Sequence, residues 1–262
     1  MSVITVKNLT KKFKKFIAVD NISFEVDKAD IFAFLGPNGA GKSTTIKMLT
    51  TVLASSAGSM FVNGFDASKE KDSVRRSIGV IFQDHSLDED LTAYENMYYH
   101  AVLYGVPKNE RKKRIESLLT YVGLIDRKND LINKFSGGMK RRIEIARGLI
   151  HSPELLFLDE PTLGLDVQTR AFLWKHIKSI NREEGITIFF TTHNLDEAEK
   201  VATKIAIIDK GKILMQGTLK EIKEKTKTDS LEKAFLKLTG YDIRDQISHT
   251  SSTMKTFARS RR

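Results

Sequence analysis

The most informative part of this sequence is Gly36-Pro37-Asn38-Gly39-Ala40-Gly41-Lys42-Ser43-Thr44. Its spacing, a glycine, four residues and then Gly-Lys-Ser, is that of a phosphate-binding loop. The apolar residues 31–35 before it predict a buried strand, and residues 44–49 after it predict the first turns of a helix. Strand, glycine-rich loop and helix are the context that the motif requires. The alternative, a glycine-rich turn without a ligand, does not account for the matched positions and both flanks together.

The residues of this loop are suited to binding a nucleoside triphosphate. Gly36, Gly39 and Gly41 let the backbone turn tightly, so that its N–H groups converge on phosphate oxygens. The start of the helix adds unpaired N–H groups and a positive dipole end. Lys42 would bring a positive charge to the β- and γ-phosphates, and Ser43 would offer a hydroxyl to Mg²⁺.

Composition bounds the class of protein. The chain has 262 residues, 40% of them hydrophobic and 29% charged, which is ordinary for a soluble globular protein. It has no cysteine, which excludes disulfides, thiolate metal sites and cysteine nucleophiles. We find no signal peptide and no apolar run near the ~18 residues of a membrane-spanning helix, and we expect a soluble chain. The net charge of +10 is spread among acidic residues, which favours a solvated surface, with a membrane surface as the second interpretation.

Two strands are predicted upstream of the loop, at residues 3–9 and 21–26. Between them lies a basic stretch, Lys11 to Phe16, that carries Phe13 and Phe16. One of these rings could stack on a flat base. A turn with partly buried phenylalanines explains the stretch equally well.

Two carboxylates, Asp159 and Glu160, end the apolar strand predicted at residues 155–158. Paired carboxylates at a strand edge repel each other unless a cation or a proton-transfer task involves them. We predict that Asp159 holds Mg²⁺, through water, and that Glu160 orients or deprotonates the attacking water. The apolar strand before them disfavours a surface acidic turn.

Gln83 and His193 also end predicted strands, at residues 78–82 and 186–192. The carboxyl ends of parallel strands face the ligand site of an α/β sheet, so both side chains are candidates for the same site. On position alone, a surface turn residue for Gln83 and a structural histidine for His193 stay open.

Residues 91–124 interrupt the alternation of strands and helices with two amphipathic helical patterns, whose tyrosines we interpret as packing residues. Ser136, Gly137 and Gly138 then precede a helical run at residues 141–150. A helix start can bind an anion, but serine and glycine are also common helix starts.

The C-terminal part predicts a hairpin with its turn at Lys210-Gly211 and an amphipathic helix at residues 231–238. Beyond Tyr241 the chain is rich in Ser and Thr and ends in Arg261-Arg262. We expect this tail to be frayed, with docking on a partner or acidic lipid as the alternative.

Taken in order, these motifs resemble those of the nucleotide-binding subunit of an ATP-binding cassette (ABC) transporter, over roughly residues 3–217. The matches are the Walker A loop (Gly36 to Thr44), the Q-loop glutamine (Gln83), the family signature (Phe135-Ser136-Gly137-Gly138-Met139), Walker B (Leu155 to Asp159), the catalytic glutamate (Glu160), the D-loop (Leu163-Gly164-Leu165-Asp166) and the switch histidine (His193).

The resemblance implies an α/β fold with a RecA-like P-loop NTPase core, an N-terminal antiparallel β subdomain and an inserted α-helical subdomain. The ATPase domain would be residues 1–217, with the helical subdomain at about 88–152 and a C-terminal extension at 218–262. ATP and Mg²⁺ are the implied cofactors.

By the same resemblance, the catalytic residues would be Lys42, Glu160 and His193, and the metal would lie at Ser43, Gln83 and Asp159. The residues in contact with ATP would be Phe13 (with Phe16 as the second choice), Gly36, Pro37, Asn38, Gly39, Ala40, Gly41, Lys42, Ser43, Thr44, Gln83, Ser136, Gly137, Gly138 and Asp166.

The signature departs from the family's commonest form, Leu-Ser-Gly-Gly-Gln. Phe135 and Met139 replace the outer residues, which puts any contact made by the lost amide in doubt. This form is similar to the branch whose permeases are called ABC-2 type, which exports drugs, lipids, polysaccharides or ions.

One Walker A loop and one signature occur, so the chain would supply half of each of two ATP sites in a head-to-tail dimer with itself or a homologous subunit. The helical insertion would dock on a separate integral-membrane permease, which places the chain at the cytoplasmic face of the membrane. An ABC ATPase acting on nucleic acid or ribosomes is the alternative, although we expect no stable nucleic acid partner. The third interpretation is a regulatory nucleotide-binding module that hydrolyses little ATP.

Overall fold

The computed structural model describes residues 2–240. The strands, in chain order, are β1 (Ser2–Phe13), β2 (Phe16–Asp27), β3 (Ile31–Leu35), β4 (Ala57–Val62), β5 (Phe65–Asp66), β6 (Ile78–Ile81), β7 (Leu155–Asp159), β8 (Thr187–Thr192), β9 (Lys204–Asp209) and β10 (Lys212–Gly217). The helices are α1 (Lys42–Leu49), α2 (Lys71–Ser77), α3 (Ala93–Leu103), α4 (Lys108–Tyr121), α5 (Gly137–Gly148), α6 (Val167–Glu184), α7 (Leu195–Val201), α8 (Leu219–Thr226) and α9 (Leu231–Thr239).

A six-stranded sheet in the order β10-β9-β3-β8-β7-β6 forms the centre of the molecule. Strand β10 is antiparallel to β9, and the other neighbours are parallel. Every residue of β3, β7 and β8 is buried. Burial on both faces explains why residues 31–35 and 155–158 are continuous apolar runs, and β8 carries an apolar centre, residues 188–190, between buried threonines. The strands predicted before the phosphate-binding loop, Asp159 and His193 are therefore confirmed.

A second, four-stranded antiparallel sheet in the order β2-β1-β4-β5 packs on the first through aromatic rings. Phe24 of β2 lies with its ring centroid 5.7 Å from that of Phe32, 5.5 Å from Phe34 and 6.0 Å from Phe189. Aromatic pairs at such distances are favourable beyond the area they bury. The two sheets confirm the predicted antiparallel β part beside an α/β core.

The basic stretch at Lys11 to Phe16 differs from the prediction. We expected it to lie between two short strands, but β1 and β2 extend through it as a hairpin that pairs Phe13 with Phe16. Lys14 in the turn has φ 51°, so a tight connection suffices.

The helical insertion has a core of its own, as the amphipathic patterns predicted. Met97 of α3, Ile115 and Leu119 of α4, and Ile143 of α5 are all fully buried in one cluster. Helix α5 begins at Gly137, four residues before the predicted run, because Ser136 caps it there. The division into an ATPase domain, a helical subdomain and an extension stays a prediction.

At the C-terminal side, the β9–β10 hairpin turns at the predicted Lys210-Gly211, and α9 confirms the predicted last helix. The predictions for the basic tail lie outside residues 2–240. Within the part of the chain that the structure describes, no helix combines the length and the apolar character needed to cross a membrane.

Candidate functional site

The phosphate-binding loop joins the end of β3 to the start of α1 in a path that only glycine permits at two positions. A Cβ atom at Gly36 would lie 2.2 Å from the carbonyl oxygen of Ile208. At Gly41, where φ is +104°, it would lie 2.5 Å from the carbonyl oxygen of Ala18. Both distances are far below van der Waals contact. The loop is therefore held between β9 and β2 with its backbone close to both.

A cavity of about 540 Å³ opens beside this loop. It brings together residues from distant parts of the sequence that were predicted to share a site. Its lining consists of Phe16, Ala18, Asn38, Gly39, Gly41, Lys42, Ser43, Thr44, Gln83, Glu160, Leu163 and His193. The predicted loop residues Gly36, Pro37 and Ala40 are not part of this lining.

Lys42, the first residue of α1, has its ammonium group at the centre of the loop. Its Nζ donates to the carbonyl oxygens of Gly36 at 2.8 Å and Pro37 at 3.1 Å. It also forms an ion pair with Glu160 Oε1 at 3.2 Å. Only 4% of Lys42 is exposed, so this charge is held in place where phosphates would bind.

Ser43 and Asp159 provide oxygen atoms suited to a divalent cation. Ser43 Oγ donates to Asp159 Oδ1 at 3.1 Å, and Thr191 Oγ1 donates to the same oxygen at 2.6 Å. Mg²⁺ prefers oxygen ligands and usually binds one or two protein groups plus phosphates and water. A hydroxyl and a carboxylate this close together fit that ion. Ser43 and Gln83 line the cavity, whereas Asp159 lies behind Ser43 and is not part of the lining.

Glu160 and His193 meet at the carboxyl ends of β7 and β8. His193 Nδ1 lies 2.8 Å from Glu160 Oε2. Glu160 has φ 46°, a conformation that is strained for a residue with a side chain, and its N–H donates to Thr191 Oγ1 at 2.9 Å. The His193 side chain is 45% exposed. The pair therefore presents a fixed carboxylate and an accessible imidazole to the cavity.

The aromatic residue on this cavity is Phe16, where the sequence favoured Phe13. Phe16 and Ala18 lie two residues apart on β2, on the same side of the strand, and Ala18 lies against the loop at Gly41. Phe13 ends β1, and Lys11 Nζ lies 5.0 Å from its ring centroid. Phe16, which is 63% exposed, therefore lies on the cavity, and Phe13 does not.

The predicted signature residues lie apart from the cavity, beside the predicted D-loop. Ser136 Oγ accepts from Met139 N at 3.3 Å and caps α5. A Cβ atom at Gly138 would lie 2.7 Å from Thr169 Cγ2, and Thr169 N donates to Asp166 Oδ1 at 2.9 Å. Ser136, Gly137, Gly138 and Asp166 therefore form one surface that does not touch the cavity of the same chain.

Met139 itself takes part in packing. Its side chain packs against the core of the helical insertion, and Arg127 Nη1 lies 3.5 Å from its sulfur. Met139 therefore contributes to the packing of the helical insertion at the first turn of α5.

Sequence reasoning missed Glu197 of α7. This carboxylate is 5% exposed and accepts hydrogen bonds from Thr162 Oγ1 at 2.5 Å and Thr192 Oγ1 at 3.1 Å. It thereby joins the segment after Glu160 to the residue before His193. Glu197 lies in the first turn of α7, just after the helix cap Asn194. The helix dipole favours an acidic residue at such a position on any exposed helix. The sequence therefore gave no sign that this carboxylate is buried.

Comparison with known proteins gives the following matches. A family model described as "ABC transporter" matches residues 19–163. The linearmycin resistance ATP-binding protein LnrL of Bacillus subtilis is 42% identical over 81% of this chain and 68% of its own length. The daunorubicin/doxorubicin resistance ATP-binding protein DrrA of Streptomyces peucetius is 41% identical over 84% of this chain, which spans 66% of that relative. The solved dimeric structure of a bacterial ABC transporter cassette superposes with a TM-score of 0.76, at 28% identity, over 82% of this chain and 98% of that one.

Proposed function

The chain belongs to the ABC transporter family, and from that membership we propose that it is the ATP-hydrolysing subunit of an exporter whose membrane-spanning part is a separate ABC-2 type permease. The observation that carries the proposal is the cavity where Lys42, Ser43, Glu160 and His193 converge beside the glycine loop. Each residue there has the chemistry that one step of phosphoryl transfer to water needs.

ATP binds with its phosphates on the backbone N–H groups of the loop and at the start of α1. Lys42 neutralises the β- and γ-phosphates, and the base stacks on Phe16. Ser43, Asp159 and Gln83 would hold Mg²⁺, which would neutralise negative charge at the phosphates. Pro37 and Ala40 contribute through the backbone of the loop, since their side chains do not line the cavity.

Hydrolysis uses the carboxyl ends of β7 and β8. Glu160 Oε2 orients the attacking water and accepts its proton, and His193, 2.8 Å from that oxygen, steadies the γ-phosphate. The ion pair between Lys42 and Glu160 at 3.2 Å keeps both groups in position before ATP enters.

The second half of each ATP site comes from another subunit. The surface of Ser136, Gly137, Gly138 and Asp166 lies away from the cavity of its own chain, so it is available to the ATP of a partner. The capped start of α5 adds the anion-binding end of a helix. A head-to-tail dimer, formed with itself or with a homologous subunit, supplies this geometry, and the solved dimeric cassette supports it.

Two relatives support export, because their names describe ATP-binding proteins for resistance to linearmycin and to daunorubicin/doxorubicin. We place the subunit at the cytoplasmic face of the membrane, docked on the permease through the helical insertion at about residues 88–152. Action on nucleic acid or ribosomes is not favoured by these relatives.

The test is the variant Glu160→Gln, which keeps the size of the side chain and removes its basicity. In saturating Mg-ATP, light scattering should show a stable dimer, and phosphate release should fall by about 10²–10⁴-fold. Glu183→Gln, an exposed carboxylate on α6, is the matched control. A Glu160→Gln variant that stays monomeric, or that keeps the parent rate, would refute the mechanism.

A further inference from the structure

The segment that carries Gln83, residues 82–86, is tied to helix α5 by a buried side chain. Arg141 Nη1 donates to the carbonyl oxygen of Phe82 at 2.7 Å, and Arg141 Nη2 donates to that of Gln83 at 2.8 Å. The planar guanidinium thus holds two consecutive backbone carbonyls, a geometry that an ammonium group cannot reproduce.

Glu144, one turn further along α5, completes the connection. Its Oε1 accepts from Ser86 N at 2.8 Å, and its Oε2 lies 3.0 Å from Arg141 Nη1 and 3.1 Å from His85 Nδ1. Arg141 and Glu144 are each only 2% exposed. The ion pair therefore contacts both ends of the segment from one helix, and Arg147 of the same helix adds a hydrogen bond to the carbonyl oxygen of Ser86 at 2.8 Å.

Such a pair is a poor source of stability, because removing both charges from water offsets most of their attraction. Burial lowers the pKa of the Arg141 guanidinium from its ordinary value, and Arg141 Nε is buried without a hydrogen-bond partner in the described part of the chain. What the pair does provide is position, since it makes four polar contacts with residues 82–86.

The two elements that it joins belong to different ATP sites under the proposed function, on which this inference rests. Gln83 lines the cavity of its own chain, and α5 begins at Ser136, which serves the partner's ATP. Arg141 lies five residues after Ser136, on the same helix. We propose that Arg141 and Glu144 are positioning residues that make the Gln83 segment and the signature helix move as one unit. Nucleotide at one site would then set the placement of the signature at the other.

The double variant Arg141→Met with Glu144→Leu tests this, because it removes both charges together and leaves no unpaired charge in the core. We expect thermal unfolding near that of the parent and a nucleotide Kd within threefold, since Lys42 and Ser43 are untouched. We expect kcat to fall tenfold or more with little change in KM. The control is Arg182→Met with Glu183→Leu, which removes an exposed ion pair 3.6 Å long on α6.

Hydrogen exchange gives a second readout that does not depend on turnover. In the parent, held monomeric at low concentration, Mg-ADP should slow exchange in residues 36–44, in residues 82–86 and in residues 137–141. In the double variant, we expect the nucleotide-dependent change to stay within residues 36–44. If the double variant does not fold, Arg141→Lys replaces it. This variant keeps the charge opposite Glu144 but cannot bridge both carbonyls. It should also lower kcat with little change in KM.

A double variant with the parent kcat, or with nucleotide-dependent protection of residues 137–141 intact, would overturn the inference. A fall in nucleotide affinity equal to the fall in kcat would also overturn it, because that would be damage to the cavity. A parent chain that binds no nucleotide would instead overturn the proposed function, and the inference with it.

Discussion

Replacing Thr162 with valine should loosen the segment between Glu160 and Asp166 while keeping the shape of the side chain. Thr162 is 6% exposed, and its hydroxyl donates to the buried carboxylate of Glu197 at 2.5 Å. A hydrogen bond to a charged group contributes about 1.5–3 kcal/mol, so we expect the free energy of unfolding to fall by that amount. Arg170 Nε, 3.5 Å from the same carboxylate, is too far to replace the hydroxyl fully.

Thr192→Val should lower the free energy of unfolding by more than Thr162→Val. Its hydroxyl donates to Glu197 Oε2 at 3.1 Å and also accepts from Asn194 N at 2.9 Å. The second hydrogen bond adds about 0.5–1.5 kcal/mol to the loss. Because Thr192 precedes His193, we also expect a lower kcat in both valine variants, with the Kd for nucleotide unchanged.

The assay is urea unfolding of the chain without nucleotide, followed by a phosphate-release assay. Thr162→Ser, which keeps the hydroxyl, should retain most of the parent stability and rate. Thr120→Val removes an exposed hydroxyl that donates to the carbonyl oxygen of Glu116, and should change stability by less than about 0.5 kcal/mol. If Thr162→Val costs no more than this control, the reasoning about a buried hydrogen bond to Glu197 is refuted.

Two further predictions concern aromatic residues. Phe16→Ala should weaken nucleotide binding about tenfold, as expected for the loss of a stacked base, whereas Phe13→Ala should change it by less than about threefold. Titration with a fluorescent ATP analogue measures both affinities. A larger loss in Phe13→Ala than in Phe16→Ala would contradict the geometry. Burial holds the pKa of His100 at about 3, below its ordinary value of 6.5, so the unfolded chain takes up this proton first and the folded state loses stability as the pH falls from 6.5 towards 3. His100→Phe should reduce this loss, and an equal change in unfolding free energy between pH 7 and pH 5 in parent and variant would contradict it.

The sequence was sufficient to predict the core strands because burial on both faces leaves a plain signal. Residues 31–35 and 155–158 are apolar without alternation, and residues 186–192 combine four large apolar residues with three threonines. Each segment forms a buried strand of the parallel sheet. Polar residues directly after such strands lie at one edge of the sheet. This is why Glu160 and His193 could be assigned to one site from positions 33 residues apart.

Contacts between distant segments carried no such signal. Phe13 and Phe16 have equivalent neighbours in the sequence, and only the path of β2 beside Gly41 distinguishes them. Glu197 and Glu144 look like ordinary acids on helices, yet both are buried because hydroxyl, backbone and guanidinium groups from other elements surround them. Gly79 is a further case, since a Cβ atom there would lie 2.4 Å from the carbonyl oxygen of Gly148. The need for glycine comes from a packed helix that local sequence does not reveal.

The arrangement of charge fits the proposal that one chain holds only part of each ATP site. Lys42 and Glu160 neutralise each other at 3.2 Å, so the cavity alone offers the phosphates little net positive charge beyond the backbone of the loop. The second helix start suited to an anion, at Ser136, points to a surface shared with Asp166 and Thr169 rather than to this cavity. Under the proposed dimer, ATP would join the two surfaces, because its phosphates would lie between the loop of one chain and the start of α5 of the other. Closure would then depend on the γ-phosphate, and hydrolysis would remove the contact that holds the two chains together.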